Sequence, residues 1–303
     1  MKKERAMKNR KPLVSVIMPV YNAGEFLRQT LNSVFDQTYQ NIEVIAIDDG
    51  STDNSLKILK EYAKRDSRLK VLGNVKNLGV GQSANKALKK AKGNYIARLD
   101  ADDLIPLDRI EKQVKFLMEN SDIVVVGGQV ELITEDGLPI VVKHFPETHS
   151  QIINFAFTAM PLQQGAMMVN KKLLPKDFIW YKEKLKTSED LDFFFRAFKY
   201  GRGANLPEVV LYYRQHGKSI TQVASAKKIF FHAYKIRKKA LRYYSFQVSD
   251  ATMFLMIAQY ILVKLLPSSM VYPLYYLWRG LRSFRMPKYG YFPLLQHITN
   301  YLF

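Results

Sequence analysis

The chain has 303 residues, 48% of them hydrophobic, and a formal net charge of +19 at pH 7. This length and apolar content suffice for a large buried core, which argues against a disordered chain. There is no cysteine, so disulfide bonds, zinc–thiolate sites and thiol catalysis are excluded.

The first 130 residues alternate short apolar runs with amphipathic segments. The apolar runs are bounded by turn residues and predict buried strands over residues 14–20, 42–47, 69–72, 95–99 and 123–126. Apolar residues at helical spacing predict helices over residues 24–37, 52–64, 79–91 and 106–118. This alternation predicts an α/β fold with a Rossmann-like, mainly parallel sheet flanked by helices.

Further along, the pattern predicts a hairpin between residues 130–133 and 140–142, a helix over 189–200 and a strand over 209–213. No segment offers ~20 uninterrupted apolar residues, so no transmembrane helix is predicted. The predicted organisation is a basic tail over residues 1–12, a main domain over 13–222 and an extension over 223–303.

The extension is basic and aromatic. From residue 225 onward it holds twelve Lys or Arg residues and one acid, interleaved with Tyr, Trp and aliphatic residues. This composition predicts a helical extension that lies on an anionic membrane surface; a solvated basic face is the alternative. We therefore expect a cytoplasmic protein, peripheral on the inner face of the plasma membrane, and no nucleic-acid motif is present.

Acidic clusters follow two of the predicted strands. Asp48 and Asp49 follow the strand over residues 42–47, and residues 100–103 follow the strand over 95–99. Ligands of open α/β sheets bind outside the carboxyl ends of the strands, so both clusters should open into one crevice. A divalent metal that carries a diphosphate is the natural counter-charge, which predicts an enzyme for a nucleotide-activated substrate.

Six segments in order give the chain a family resemblance. They are residues 16–22 (VIMPVYN), 47–53 (IDDGSTD), 77–79 (NLG), 97–103 (ARLDADD), 188–190 (SED) and 213–216 (YRQH). In order and spacing the chain resembles family 2 glycosyltransferases of the GT-A fold, of the bacterial surface-glycan type. The resemblance covers roughly residues 13–222.

The resemblance implies a nucleotide-diphosphate sugar donor, and we expect a UDP-sugar. The predicted donor-binding residues are Pro19, Tyr21, Asn22, Asp48, Asp49, Asn77, Arg98 and Asp100. A carboxylate at position 48 or 49 can accept the uracil N3–H or a ribose hydroxyl; helix capping is the alternative for this turn. For Tyr21 and Asn22 the alternative is a plain strand-to-helix turn.

Arg98 is a charge inside a predicted strand, which is costly unless it is paired. It either pairs with Asp48, Asp49 or Asp100, reaches the base, or faces the surface.

Asp100 and Asp102 lie two residues apart on an extended segment, so their side chains point the same way. Mn²⁺ or Mg²⁺ is commonly held by one or two carboxylates together with substrate phosphates. The resemblance implies that Asp100 lies near the ribose and the metal, that Asp102 ligates the metal, and that His216 is a third ligand. Asp103 is an additional acid, expected near donor or acceptor hydroxyls. A solvated acidic turn and a surface histidine are the alternatives.

Asp190 is the predicted catalytic residue. It opens an amphipathic helix, where an acid is often only a partner of the helix dipole. The resemblance implies that Asp190 is the general base that deprotonates the acceptor hydroxyl, with Glu189 orienting the acceptor. It also implies inversion at the anomeric carbon, on a lipid-linked or growing cell-surface glycan.

Two other functions compete with this one. A sugar-nucleotide nucleotidyltransferase would carry a glycine-rich, basic phosphate loop after strand one, yet residues 19–25 contain one glycine and no basic residue. A non-catalytic membrane adaptor on the same fold would make the extension the functional part, and the acids at 100, 102 and 190 argue against it.

Overall fold

The computed structural model describes residues 11–185, 187–216, 226–268 and 270–271. Within this part, one eight-stranded sheet forms the centre. Its strands are β1 (Val14–Val20), β2 (Ile42–Asp48), β3 (Leu69–Gly73), β4 (Tyr95–Arg98), β5 (Ile123–Ile133), β6 (Pro139–Lys143), β7 (Met168–Asn170) and β8 (Arg202–Arg214). The strand order is β3-β2-β1-β4-β7-β5-β6, and β8 pairs with β5.

Eight α-helices accompany the sheet over the same described residues. They are α1 (Leu27–Phe35), α2 (Ser55–Arg65), α3 (Val80–Leu88), α4 (Arg109–Glu119), α5 (His149–Ala156), α6 (Glu189–Ala197), α7 (Ala226–Tyr244) and α8 (Asp250–Leu265). Two buried apolar clusters surround the strands. The predicted α/β class, a mainly parallel sheet flanked by helices with a helical C-terminal extension, is confirmed.

The position of the site follows from the parallel part of the sheet. Strand β1 lies between β2 and β4 and is parallel to both, with Ile17 opposite Ile45 on one side and Arg98 on the other. The carboxyl ends of β2 and β4 therefore lie at the same edge of the sheet, as predicted. The turns that carry Asp48 and Asp100 begin there.

Strand β5 differs from the prediction, because the expected strand over 123–126 and hairpin strand over 130–133 form one continuous strand. Gly127 and Gly128 do not interrupt it. A Cβ atom built on Gly128 would lie 2.7 Å from both γ-carbons of Val210, so glycine here allows β8 to pack closely against β5. The local pattern indicated a break, whereas the reason for glycine lies on a distant strand.

Strand β7 and helix α5 were not predicted. The three residues of β7 are too few for a periodic signal, yet this strand joins the two halves of the sheet, antiparallel to both β4 and β5. The predicted boundary between residues 222 and 223 and most of the basic N-terminal tail lie outside the described residues.

Helix α7 shares the core of the sheet. Ala233, Ile236 and Ala240 are buried in the same cluster as the phenylalanines of α6, and Arg237 Nε donates to the carbonyl of Ala156 at 2.9 Å. The start of the predicted extension is therefore packed on the main domain. None of the helices in the described ranges combines the length and apolar character needed to cross a bilayer.

Candidate active site

A cleft of about 1530 Å³ opens at the carboxyl edge of the sheet. The predicted site residues that line it are Pro19, Tyr21, Asn22, Asn77, Asp100, Asp102, Glu189, Asp190 and His216. Four further predicted residues are buried just behind its walls: Asp48, Asp49, Arg98 and Asp103. The structure thus brings nine of the predicted residues to one surface, and the other four support that surface from beneath.

Asp49 organises the wall that contains Asn77. Its Oδ1 accepts hydrogen bonds from Asn74 Nδ2 at 2.8 Å and from the Leu78 amide at 2.9 Å, and its Oδ2 accepts one from the Gly79 amide at 2.9 Å. Both carboxylate oxygens are therefore occupied by the loop before α3. Its immediate role is to shape that loop.

Asp48 is bonded differently. Its Oδ2 accepts a hydrogen bond from the Ser51 amide at 3.3 Å, while its Oδ1 is buried and has no partner among the described residues. A buried acceptor without a partner carries a desolvation cost. Of the two adjacent acids, Asp48 is the one with an unpaired carboxylate oxygen, and that oxygen is buried behind the wall of the cleft.

Asn22 ties the loop after β1 to the loop after β2. It adopts a positive φ of 49°, its Oδ1 accepts from the Thr52 amide at 2.8 Å, and its own amide donates to Ser51 Oγ at 3.1 Å. With the two loops joined by these hydrogen bonds, the neighbouring Tyr21 is 50% exposed on the cleft, where a planar base can stack on its ring.

Arg98 is buried, with only 1% of its surface exposed. Its Nη2 bonds Asp100 Oδ1 at 2.9 Å, and its Nη1 donates to the carbonyls of Ile17 at 2.9 Å and Leu99 at 3.2 Å. The predicted pairing with Asp100 is confirmed, and the surface-facing alternative is wrong because β4 is an interior strand. The ion pair fixes Asp100 at the mouth of the cleft.

The acidic turn concentrates negative charge. Burial, and then the charges of Asp102 and Asp100, raise the pKa of Asp103 well above its usual range. Burial also raises the pKa of Asp100, with Arg98 opposing the shift and Asp102 adding to it. Carboxylates that repel one another in this way fit a bound cation, which would relieve the repulsion.

Two residues of this region were missed by sequence reasoning. Arg109 is buried beneath the turn and donates to the carbonyl of Arg98 at 3.0 Å; burial lowers its pKa to about 9, against the pull of Asp103 and Asp100. A Cβ atom on Gly165 would lie 3.3 Å from Asp103 Oδ2 and 3.4 Å from Asp100 Oδ2. The Gly165 contacts join distant parts of the chain, and the Arg109 bond joins α4 to the preceding strand β4; neither leaves a periodic pattern in the sequence.

His216 lies against the acidic turn. Its Nε2 is 2.8 Å from Asp102 Oδ2, its ring packs 5.0 Å from that of Phe26, and it is buried. The surface-histidine alternative is therefore wrong. Across the described residues no three His, Asp or Glu side chains form a complete metal-binding group. Asp102 and His216 bring one carboxylate and one imidazole together here, and Mn²⁺ or Mg²⁺ is commonly held by one or two carboxylates together with substrate phosphates.

Glu189 and Asp190 line another wall of the cleft, at the start of α6. They follow Ser188, which has a positive φ of 58°. Burial raises the pKa of Asp190 to about 6. Burial and the neighbouring Asp190 raise the pKa of Glu189 to about 7. These two carboxyl groups can exchange protons near neutral pH, as a general base must.

Helix α7 contacts the segment just before this pair. Thr187 Oγ1 and His232 Nδ1 lie 2.6 Å apart. The same wall is held from below by Asp192, which is buried and bonds Lys182 Nζ at 2.8 Å and Arg196 Nε at 2.6 Å. The wall that carries Asp190 is thus anchored both to its own helix and to α7.

The cleft thus combines two carboxylates two residues apart at the edge of the sheet with a further carboxyl group of raised pKa on another wall, an arrangement that fits a group-transfer enzyme. The sequence pattern of Glycosyl transferase family 2 matches residues 15–176, so the chain belongs to that family. The family and the GT-A fold predicted from the six motifs are confirmed.

Relatives of bacterial surface-glycan type are among the similar proteins. An uncharacterized glycosyltransferase of Haemophilus influenzae is 33% identical over 77% of this chain and 74% of its own length. The putative teichuronic acid biosynthesis glycosyltransferase TuaG of Bacillus subtilis is 43% identical over 47% of this chain and 56% of its own.

A solved structure shares the fold. It is residues 1–349 of S. aureus TarS in complex with UDP-GlcNAc, which superposes with a TM-score of 0.61 at 26% identity over 75% of this chain and 66% of that one.

Replacing Asp49 with Asn should destabilise the protein. The Asn amide would face at least one of the donors Asn74, Leu78 and Gly79, so we expect the free energy of unfolding to fall by about 1–3 kcal/mol. Asp48→Asn is the matched control, because the new amide can take the side of the unpaired oxygen. Denaturant titration of both variants tests this, and equal losses would contradict it.

Proposed function

We propose that the protein is a metal-dependent, inverting glycosyltransferase that moves a sugar from a UDP-sugar to a lipid-linked or growing cell-surface glycan. The observation that carries the proposal is that the Asp100–Asp102 pair and Asp190 line one cleft. TarS was solved with UDP-GlcNAc, which supports a UDP-sugar. The name of TuaG supports a surface glycan as the product.

In this proposal the nucleoside lies at the β1 and β2 end of the cleft. Tyr21 stacks on the base, and the buried Asp48 supports the turn beneath the nucleoside through its bond from the Ser51 amide. Pro19 and Asn22 shape the first loop, while Asp49 holds the loop that presents Asn77. The diphosphate then lies over Asp100.

Asp100, Asp102 and His216 would hold Mn²⁺ or Mg²⁺. A bound divalent ion supplies stabilisation of the negative charge that develops on the leaving diphosphate. Arg98 fixes the Asp100 carboxylate, as its 2.9 Å ion pair indicates.

Asp190 acts as the general base. It removes the proton of the acceptor hydroxyl as the new bond from that oxygen to the anomeric carbon forms and the bond to the diphosphate oxygen breaks. One base is sufficient for this direct displacement, which inverts the anomeric carbon. Glu189, which lines the cleft, orients the acceptor. Asp103 is buried and accepts a hydrogen bond from the Arg214 amide, so its expected contact with substrate hydroxyls is replaced by a structural one.

The outer face of α8 supports attachment to a membrane surface. Phe254 is 71% exposed and Leu265 is 77% exposed, with Ile257 and Ile261 exposed between them. A large exposed apolar face of this kind marks an interaction surface, and the lysines of α7 suit anionic headgroups. We place the protein in the cytoplasm, at the inner face of the plasma membrane.

Asp190→Asn should reduce sugar transfer by about 10²–10⁴-fold, because the amide cannot accept the proton. Since Asp190 must be ionised to act and its pKa is raised to about 6, wild-type kcat/KM should fall about tenfold per pH unit below pH 6. Transfer assays across pH, with calorimetry of UDP-sugar binding, check both expectations. The exposed Asp177, outside the cleft, provides the control Asp177→Asn; undiminished transfer by Asp190→Asn removes this residue from the mechanism.

Removing divalent ions should stop donor binding. We expect no calorimetric binding of a UDP-sugar after treatment with a chelator, and recovery of binding when Mn²⁺ or Mg²⁺ is added. The Asp102→Asn variant should need a higher concentration of the metal ion for the same donor binding. Asp108→Asn is the control, because Asp108 is a partly exposed acid outside the cleft that pairs with Lys112. Full turnover in the presence of the chelator would rule out the metal.

The apolar face of α8 should govern membrane binding. Because α7 is part of the core, deletion from residue 225 would disrupt the fold, so we prefer the double variant Phe254→Glu with Leu265→Glu. Each apolar side chain removed from a membrane costs about 1.5–3 kcal/mol, so binding to anionic liposomes should weaken at least about tenfold. Leu138→Glu, on the β5–β6 turn, is the control; unchanged co-sedimentation of the double variant would reject the role of α8.

A further inference from the structure

The cleft continues beyond the acids into an apolar groove between α7 and α8. The residues of this α7/α8 groove that line the cleft are Ala226, Ile229, Phe230, Ala233, Leu255, Ala258, Gln259, Leu262 and Val263. The same cavity contains Asp100 and Asp190. A ligand in the groove is therefore in open connection with the reacting groups.

The size of the cavity indicates more than one ligand. Its volume of about 1530 Å³ exceeds the roughly 300–1,000 Å³ of a typical small-molecule site. The polar end provides the groups proposed for the nucleotide sugar, and the apolar end remains for something else.

The two walls of the groove are held together by aromatic contacts. The Tyr234 and Tyr260 rings stack with centroids 4.4 Å apart, and Phe231 meets Tyr260 edge-on at 5.7 Å. Alanines at positions 233 and 258 keep the space between the helices open. The ring contacts therefore fix the spacing of α7 and α8 that forms the groove.

The groove also reaches the outer face of α8. Leu255 and Leu262 line the groove and are 43% and 50% exposed. On the same helix Phe254 and Ile261 belong to the exposed apolar face assigned above to the membrane. An apolar path therefore runs from that face, through the groove, to the catalytic acids.

We propose that the α7/α8 groove holds the hydrocarbon chain of a lipid-linked acceptor, with the acceptor hydroxyl at Asp190. A free glycan would need polar partners along this path, whereas the walls are almost entirely apolar. Arg237 lines the cleft one helical turn after Ala233 and is held by its bond to the Ala156 carbonyl, so a fixed positive charge lies beside the groove, which favours an anionic group such as a phosphate nearby. This assignment rests on the proposed function and selects the lipid-linked acceptor over the growing free glycan.

The test measures how affinity depends on chain length. Hexyl, octyl and decyl phosphate, each below its micellar concentration, are titrated calorimetrically into the full-length protein. Each methylene that enters an apolar groove should tighten Kd about fourfold. Ala258→Phe, which fills the groove, should remove most of this dependence.

Ala251→Phe is the matched control, because it adds the same side chain to an exposed position of the same helix, outside the groove. We expect it to keep the wild-type dependence on chain length. Equal behaviour of the two variants, or a Kd that does not change with chain length in the wild type, overturns the assignment. Sedimentation velocity adds a further outcome: if Ala258→Phe dissociates a dimer, the groove is an interface between copies and the lipid assignment is wrong.

A separate measurement distinguishes failure of this inference from failure of the proposed function. Slow hydrolysis of UDP-sugars by the wild type needs no acceptor. If no donor is hydrolysed or bound, the proposed function fails. If a donor is turned over while alkyl phosphates bind without any dependence on chain length, only the groove assignment fails.

Discussion

The site depends on the ion pair between the buried Arg98 and the partly exposed Asp100. The guanidinium of Arg98 also bonds the carbonyls of Ile17 and Leu99, so a single side chain joins β1, β4 and the acidic turn. Removing Asp100 would leave the buried Arg98 charge without its carboxylate partner; this costs about 3–5 kcal/mol where both partners are buried, and less here because the Asp100 side chain is 33% exposed. The contacts of Arg98 in the core of the sheet therefore set the position of Asp100 at the cleft, and with it the position of the acidic turn over residues 100–103.

The acidic turn is held against its own repulsion by three buried arginines. Arg98 pairs with Asp100, and Arg109 Nη2 donates to the carbonyl of Arg98 at 3.0 Å. The Arg214 amide donates to Asp103 Oδ1 and its Nε donates to the Asp102 carbonyl, each at 2.9 Å. Burial lowers the pKa of Arg214, and the nearby acids oppose this. Such an arrangement keeps carboxylates together and partly uncompensated on the cleft side, which is the state that a divalent ion would neutralise.

Sequence patterns predicted the strands and helices that local periodicity determines, and they missed side-chain contacts between segments that are far apart in the sequence. The strands over residues 14–48 and the helices after them follow from apolar periodicity, and their order placed both acidic clusters at one edge. The role of Asp49 could not be predicted, because its partners lie 25 to 30 residues away on a loop without a periodic pattern. The bond between His216 and Asp102 spans 114 residues, and only the family resemblance suggested that they meet.

The start of the predicted extension contacts the wall of the cleft that carries Glu189 and Asp190. Helix α7 contributes Ala233 and Ile236 to the core that contains the phenylalanines of α6, and His232 contacts Thr187 just before the proposed base. The segment just before Asp190 is therefore in direct contact with α7. The α7/α8 groove opens into the same cleft. Helix α7 therefore both forms one wall of the groove and contacts the segment that carries Asp190.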